Sequence, residues 1–215
     1  MKVASKYTIL DDGRVSIDGA VLHRSTWTTE RLERPADGKS VSVRDAFDRL
    51  SQEGSLIHLV VGVIGPREAT EAQATSAFAV GGQLGGFGIT LLCGGGSGVM
   101  EAACRGCREQ GGLPIGLLPG SDPHEANQFV GVPLPTGIGE GRNMIIAKAS
   151  RVLIAVGSSY GTLSEVAYGL HFGKTVIGID GAAEVKGLIR ASGPKDAVDV
   201  ALDALARSAR AMAGS

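Results

Sequence analysis

The chain has few aromatic residues: Phe, Trp and Tyr together make up 4% of its 215 residues. A core with so few rings has to be built from Val, Ile, Leu and Ala, as in sheets buried on both faces. Cysteine is scarce too. Cys93, Cys104 and Cys107 cannot supply the disulfide framework of a small secreted domain. Cys104 and Cys107 form a C-x-x-C, but within an alanine- and arginine-rich helical pattern and without a second ligand pair. Helix packing accounts for them, and no metal is expected. His23, His58, His124 and His171 are scattered with no ligand spacing. An excess of one charge is also missing: the net charge is −1, with acidic and basic residues interspersed, which removes the electrostatic case for a nucleic-acid partner. No apolar run approaches the ~18 residues of a membrane span, and the N-terminus lacks an h-region. The expectation is a soluble, cytoplasmic protein with no membrane partner.

Glycine, by contrast, is abundant, with 33 residues in a chain that is 43% hydrophobic. Where those glycines fall organises the rest of the reading. Residues 1–56 form one segment. Tyr7–Leu10, Val15–Ile17 and Ala20–Leu22 are short β-like runs separated by Asp12-Gly13 and Asp18-Gly19, both hairpin-turn signals. The polar stretch from Arg24 to Lys39 reads as loop. Ser42 with Asp45 three residues on marks a helix start, followed by Val43, Ala46, Phe47 and Leu50 at helical spacing and by Gly54 as its stop.

Residues 57–215 repeat strand, glycine, helix. The strands are read at Leu59–Ile64, Ile89–Cys93, Pro114–Leu118, Arg151–Val156 and Thr175–Ile179. The helices between them are read at 69–84, 99–110, 141–150 and beyond 165. A long irregular loop over 119–139 carries Pro119, Pro123, Pro133 and Pro135, with one short strand near Phe129–Val132. The chain closes in an amphipathic helix whose buried face is Val198, Ala201, Leu202, Leu205 and Ala209. Such alternation means an α/β fold with a doubly wound, mostly parallel, Rossmann-like sheet, preceded here by an N-terminal β-hairpin-plus-helix extension. Ligands in these sheets bind beyond the carboxyl ends of the strands. Three glycine-bearing loops lie at such ends: Gly65-Pro66-Arg67, Gly94-Gly95-Gly96-Ser97-Gly98 and Gly157-Ser158-Ser159-Tyr160-Gly161-Thr162.

The third loop empties a buried strand into small residues and then a helix, which aims free backbone N–H groups and a positive helix end at one spot. Glu165 lies one turn into that helix. Gly139-Glu140-Gly141-Arg142-Asn143 opens another helix, where a guanidinium opposes the helix dipole unless an anion shares the site. Two alternatives fail on spacing. Gly94–Gly98 is not the G-x-G-x-x-G dinucleotide fingerprint, and Pro119-Gly120 stands where an acidic ribose ligand would end the next strand, against a NAD enzyme. Gly173-Lys174-Thr175 mimics the end of a Walker loop, but it precedes a strand and lacks the earlier glycine, where Tyr168 stands.

Gly94–Met100, Pro114-Ile115-Gly116 through Pro119, Arg142-Asn143 and Gly157–Glu165 together resemble the LOG family, Rossmann-like nucleotide-binding proteins formerly called lysine decarboxylase-like. The resemblance runs from about His58 to Leu205 and is nearest the branch containing molybdenum-cofactor carrier proteins. It implies hydrolysis of the N-glycosidic bond of a nucleoside 5′-monophosphate to free base and ribose 5-phosphate. In that reading Arg142 and Glu165 are catalytic. Gly65, Arg67, Gly94, Gly95, Gly96, Ser97, Gly98, Asn143, Gly157, Ser158, Ser159, Tyr160, Gly161 and Thr162 bind the phosphate and the rest of the ligand. The family's Pro-Gly-Gly-x-Gly-Thr loop corresponds to the stretch from Gly157 to Thr162, with Gly157 for the proline and Ser158 and Ser159 for the two glycines. The carrier branch implies the alternative: non-catalytic binding of a phosphorylated pterin or nucleotide through the same loops. The resemblance further implies a homo-oligomer, dimer or larger, and no bound cofactor.

Overall fold

A computed structural model describes residues 5–33 and 37–211. The described residues fall into two compact units, one within Met1–Leu56 together with Leu202–Ser215, the other Ile57–Ala201. In chain order the first part holds strands β1 (Tyr7–Leu10), β2 (Val15–Ile17), β3 (Ala20–His23), β4 (Thr28–Arg31) and β5 (Gly38–Val41), then helix α1 (Val43–Gln52). The remainder runs β6 (Val60–Ile64), α2 (Glu71–Gly86), β7 (Thr90–Cys93), α3 (Val99–Glu109), β8 (Pro114–Leu118), β9 (Val132–Pro135), α4 (Arg142–Ala149), β10 (Val152–Val156), α5 (Tyr160–His171), β11 (Thr175–Ile179), β12 (Ile189–Arg190), α6 (Pro194–Arg207) and β13 (Arg210–Ala211). Short 3₁₀ turns occupy Pro123–Glu125 and Gly139–Gly141.

The first unit is a sheet in the order β13-β4-β3-β2-β1-β5, antiparallel except where β13 joins β4. Its turns follow from sequence. Asp18 and Gly19 both take positive φ, 49° and 84°, as a two-residue hairpin between Ile17 and Ala20 requires. Helix α1 starts on a capping box: the Asp45 N–H donates to the Ser42 hydroxyl, and the Asp45 carboxylate accepts from the Ser42 N–H. Trp27 is buried here, its indole N–H donating to the Leu205 carbonyl at 2.8 Å and its ring 5.9 Å from that of Phe47. The loop expected over 24–39 is corrected: it contains β4 and β5, while residues 34–36 lie outside the described residues, as do 1–4. Both strands sit toward the margins of the sheet and are half-buried or exposed, so they carry no apolar alternation to betray them.

The second unit is a seven-stranded sheet in the order β12-β11-β10-β6-β7-β8-β9, parallel throughout. Strand β10 is buried at every position and β7 likewise, which explains their unbroken apolar runs. The chain steps from β6 outward to β9 and then back through β10 to β12; crossovers of one hand then put α2 and α3 on one face and α4 and α5 on the other, as their pairwise packing reflects. The reversal falls between β6 and β10, and the loops leaving those two strands diverge there. Glycine lets α2 and α3 approach closely. A Cβ on Gly81 would meet the Ala103 backbone, one on Gly106 the Phe78 backbone, and one on Gly85 the Cys107 backbone. Cys104 and Cys107 are buried in that contact, and the Cys104 thiol also lies 3.4 Å from the thiol of Cys93 at the end of β7.

Two further expectations shift. The short strand read near 129–132 forms at Val132–Pro135, where its backbone pairs with β8. Helix α6 begins at Pro194 and ends at Arg207, so Ala209 falls beyond it and is half-buried, while Val198, Ala201, Leu202 and Leu205 are buried. The two-residue strands β12 and β13 are too short to leave a periodic signal. Among the described residues no helix is long and apolar enough to cross a membrane.

Candidate functional site

Strand β6 ends at Ile64 and runs into Gly65, where a Cβ would collide with the Val156 carbonyl and with Val99. The chain must pass this point as bare backbone to reach Pro66 and Arg67. The glycine loop after β7 is fastened to it: the Val99 N–H donates to the Pro66 carbonyl at 3.1 Å, and the Ser97 hydroxyl donates to the Arg67 carbonyl at 3.2 Å. On its other side Asn127, from the long loop, donates its amide N–H groups to the Gly95 and Gly96 carbonyls at 3.1 and 2.8 Å. The loop is thus held from two directions.

Arg142 opens α4 and is 7% exposed. Its guanidinium lies against Gly94, in space that a Cβ there would occupy. One guanidinium nitrogen donates to the Asn143 side-chain oxygen at 2.6 Å and to the Glu165 carboxylate at 3.1 Å. The Nε–H is buried and has no hydrogen-bond partner among the described residues. Asn143 in turn donates to the Ser164 hydroxyl at 2.9 Å, which ties α4 to α5.

Helix α5 starts on Ser159, whose hydroxyl accepts from the Thr162 N–H at 3.1 Å and lies 2.9 Å from the Thr162 hydroxyl. The N–H groups of Tyr160 and Gly161 have no intrahelical acceptor, as in any first turn. Thr162 and Glu165 are buried on the inner face of this helix. Burial pushes the Glu165 carboxyl up to about 7, outweighing the opposing pull of Arg142. The pair is therefore salt-bridged in geometry yet close to its protonation midpoint at neutral pH.

These groups meet in a cavity of about 540 Å³ at the carboxyl ends of β6 and β10. Its wall includes Arg142, Glu165, Asn143 and Gly94, together with Gly65 and Arg67 from the β6 loop and Ser158, Ser159, Gly161 and Thr162 from the α5 start. Gly95, Gly96, Ser97, Gly98, Gly157 and Tyr160 are not on that wall. A Cβ on Gly98 would strike the Arg67 carbonyl, and one on Gly157 the Gln73 amide, so these two serve the backbone path; Gly157 also has a φ of +70°. Tyr160 is 94% exposed and projects away. The wall also contains Pro66, Glu68, Met100, Pro119 and Glu140, which the motifs did not single out as ligand-binding. Glu68 adjoins Arg67 and Glu140 lies two residues before Arg142, so proximity to predicted residues was the signal available.

The thiols lie behind this cavity rather than in it. The Gly95 N–H donates to the Cys93 sulfur at 3.3 Å, and burial pushes Cys107 up to about 12, so Cys107 stays a protonated packing group.

Comparison with known proteins places the same region in a wider set. The sequence model of the SLOG cluster4 family matches residues 58–205. An uncharacterized protein of Archaeoglobus fulgidus is 37% identical over 139 residues, covering 65% of this chain and 91% of that one. The molybdenum cofactor carrier protein of Chlamydomonas reinhardtii is similar in structure, with a TM-score of 0.64 at 35% identity over 69% of this chain and 98% of that one. The molybdenum cofactor binding protein of Rippkaea orientalis gives 0.63 at 33% identity, covering 66% and 94%.

Proposed function

Since the chain belongs to the SLOG cluster4 family, we propose that its cleft binds and holds a phosphorylated pterin, in the manner of a carrier. The observation that carries this reading is Arg142, a buried guanidinium on the wall whose Nε–H has no acceptor among the described residues. A buried charged donor left unpaired costs on the order of 1–3 kcal/mol, which an anionic ligand recovers. The start of α5, with two N–H groups lacking intrahelical acceptors, faces the same cavity and favours the same charge. The similarity to proteins named for molybdenum cofactor binding and carriage supports a pterin as the occupant.

A second reading has its own observation. Glu165 sits beside Arg142 on the wall, where a carboxylate could stabilise the oxocarbenium-like transition state of N-glycosidic cleavage in a nucleoside 5′-monophosphate. Two measurements separate the readings. Mass spectrometry of ligand retained through purification is expected to find a phosphorylated pterin, and incubation with AMP, GMP and CMP is expected to release no free base. Base released by the wild type and not by Glu165→Ala would establish the hydrolase instead. Under either reading Arg142→Met is expected to weaken inorganic phosphate binding at least tenfold by calorimetry.

The assembly is proposed to be a homo-oligomer built on α4 and α5, whose outer faces expose Met144, Ile145, Leu163 and Tyr168 at 37–40%. Light scattering coupled to gel filtration is expected to give at least twice the chain mass of 22.0 kDa.

A further inference from the structure

We propose that Glu68 and Glu140 select the ligand's ring by its donor edge, one carboxylate accepting from a ring N–H and the adjacent exocyclic amino group and the other from that amino group's second N–H. That edge is the 2-amino-4-oxopyrimidine face shared by pterins and guanine. The inference rests on the anion-binding reading of the same cleft and names which phosphorylated ring it takes.

The charges on the wall do not match a simple anion site. A cavity built only to hold phosphate should be lined by cations and N–H donors. This one brings Arg67 and Arg142 together with three carboxyl groups, Glu68, Glu140 and Glu165. Glu165 is accounted for by Arg142. Glu68 and Glu140 are exposed at the cavity and neither makes an ion pair or side-chain hydrogen bond among the described residues. Carboxylates without partners beside an anion site repel an anionic ligand, unless that ligand also carries donors for them.

The remaining wall says what kind of ligand that is. Pro66, Met100 and Pro119 supply apolar surface on the same cavity, suited to the faces of a flat ring. A ring held by its faces offers its edge to neighbouring polar groups. An ionised carboxylate is acceptor-only, with two oxygens side by side, so it pairs best with two adjacent N–H donors. Guanine and pterin present such a pair, a ring N–H next to an exocyclic amino group. Adenine places an acceptor beside its amino group, and hypoxanthine keeps the ring N–H but has no amino group. The chemistry therefore ranks guanine-type and pterin-type rings above both. Glu68 reaches the cavity from the β6 loop and Glu140 from the 3₁₀ turn before α4, on separate segments, so the two carboxylates approach the ring from different stretches of chain.

The test is calorimetric titration of the full chain with GMP, IMP, AMP and ribose 5-phosphate, followed by the double variant Glu68→Gln, Glu140→Gln. GMP is expected to bind at least tenfold more tightly than IMP or AMP. In the double variant that advantage should shrink below threefold while ribose 5-phosphate binds as well as before or better. Three monophosphates within threefold of one another on the wild type, with ribose 5-phosphate still bound, overturn this inference and leave the anion site standing. A preference for GMP that survives intact in the double variant overturns the assignment to these two residues. Failure of all four probes to bind overturns the anion-binding reading beneath it. The wild-type series needs no substitution, so its outcome does not depend on how the variant folds.

Discussion

Replacing Glu165 with glutamine is expected to leave the protein nearly unchanged in stability at pH 4 and to stabilise it at pH 8. In the folded chain burial holds this carboxyl at about 7, against 4.5 ordinarily. Between those values the folded state keeps a proton that the unfolded state has released, so stability falls as pH rises through that window. At about 1.4 kcal/mol per pH unit the loss reaches about 3 kcal/mol by pH 8, and residual solvation of the pair makes this an upper bound. Glutamine has the same shape, can still accept from Arg142, and carries no charge at any pH. It therefore resembles the protonated wild-type side chain. Urea unfolding monitored by circular dichroism at half-unit steps from pH 4 to pH 8 provides the assay. The wild-type curve should descend relative to the Glu165→Gln curve across the window and level off above it. Two parallel curves would show that burial does not dominate at Glu165, and the account of the Arg142–Glu165 pair would have to be abandoned.

Gly94→Ala places a methyl group 2.7 Å from the Arg142 guanidinium carbon; it is expected to displace that side chain and weaken phosphate binding at least tenfold in calorimetry, with little change in far-ultraviolet circular dichroism. Gly81→Ala drives its methyl into the Ala103 backbone, 2.8 Å from the carbonyl carbon. Because that obstacle is main chain and cannot rotate away, the cost should be about 1–3 kcal/mol, read as a fall of several degrees in Tm. Ser42→Ala removes the cap of α1 and should cost about 1 kcal/mol in urea unfolding.

The parallel sheet was legible because its strands are buried on both faces. Val152–Val156 and Val60–Ile64 can be little else once each ends in glycine and is followed by a helical pattern. The meeting of Arg142 and Glu165 in one cavity was legible as well, since a guanidinium at a helix start and a carboxyl one turn into another stand out in the sequence. The glycine loop was read only in part. Gly94 does lie on the cavity, whereas Gly95 and Gly98 adopt positive φ, and the loop is joined to the Arg67 carbonyl through Ser97 and to Asn127. Glycine looks the same in sequence whether it makes room for a ligand or for the protein's own backbone. That Glu68 and Glu140 also line the cavity was not legible, because an exposed acidic residue in a loop leaves no pattern in the sequence. The strands β4 and β5 were missed because Thr28–Arg31 and Gly38–Val41 bury too little to impose a pattern.

Helix α5 carries both the backbone donors and Thr162 of its first turn and, a turn later, Glu165. A single rigid rod thus fixes the span between the positive end and the carboxyl group, at about 1.5 Å of rise per residue. Ligands of different length cannot be accommodated by stretching that span. Under the proposed binding reading, adaptation to a longer or shorter molecule falls to other segments of the wall, those of Glu68 and Glu140, which lie outside any long helix, so drift in ligand preference among relatives should be recorded there before it is recorded in α5.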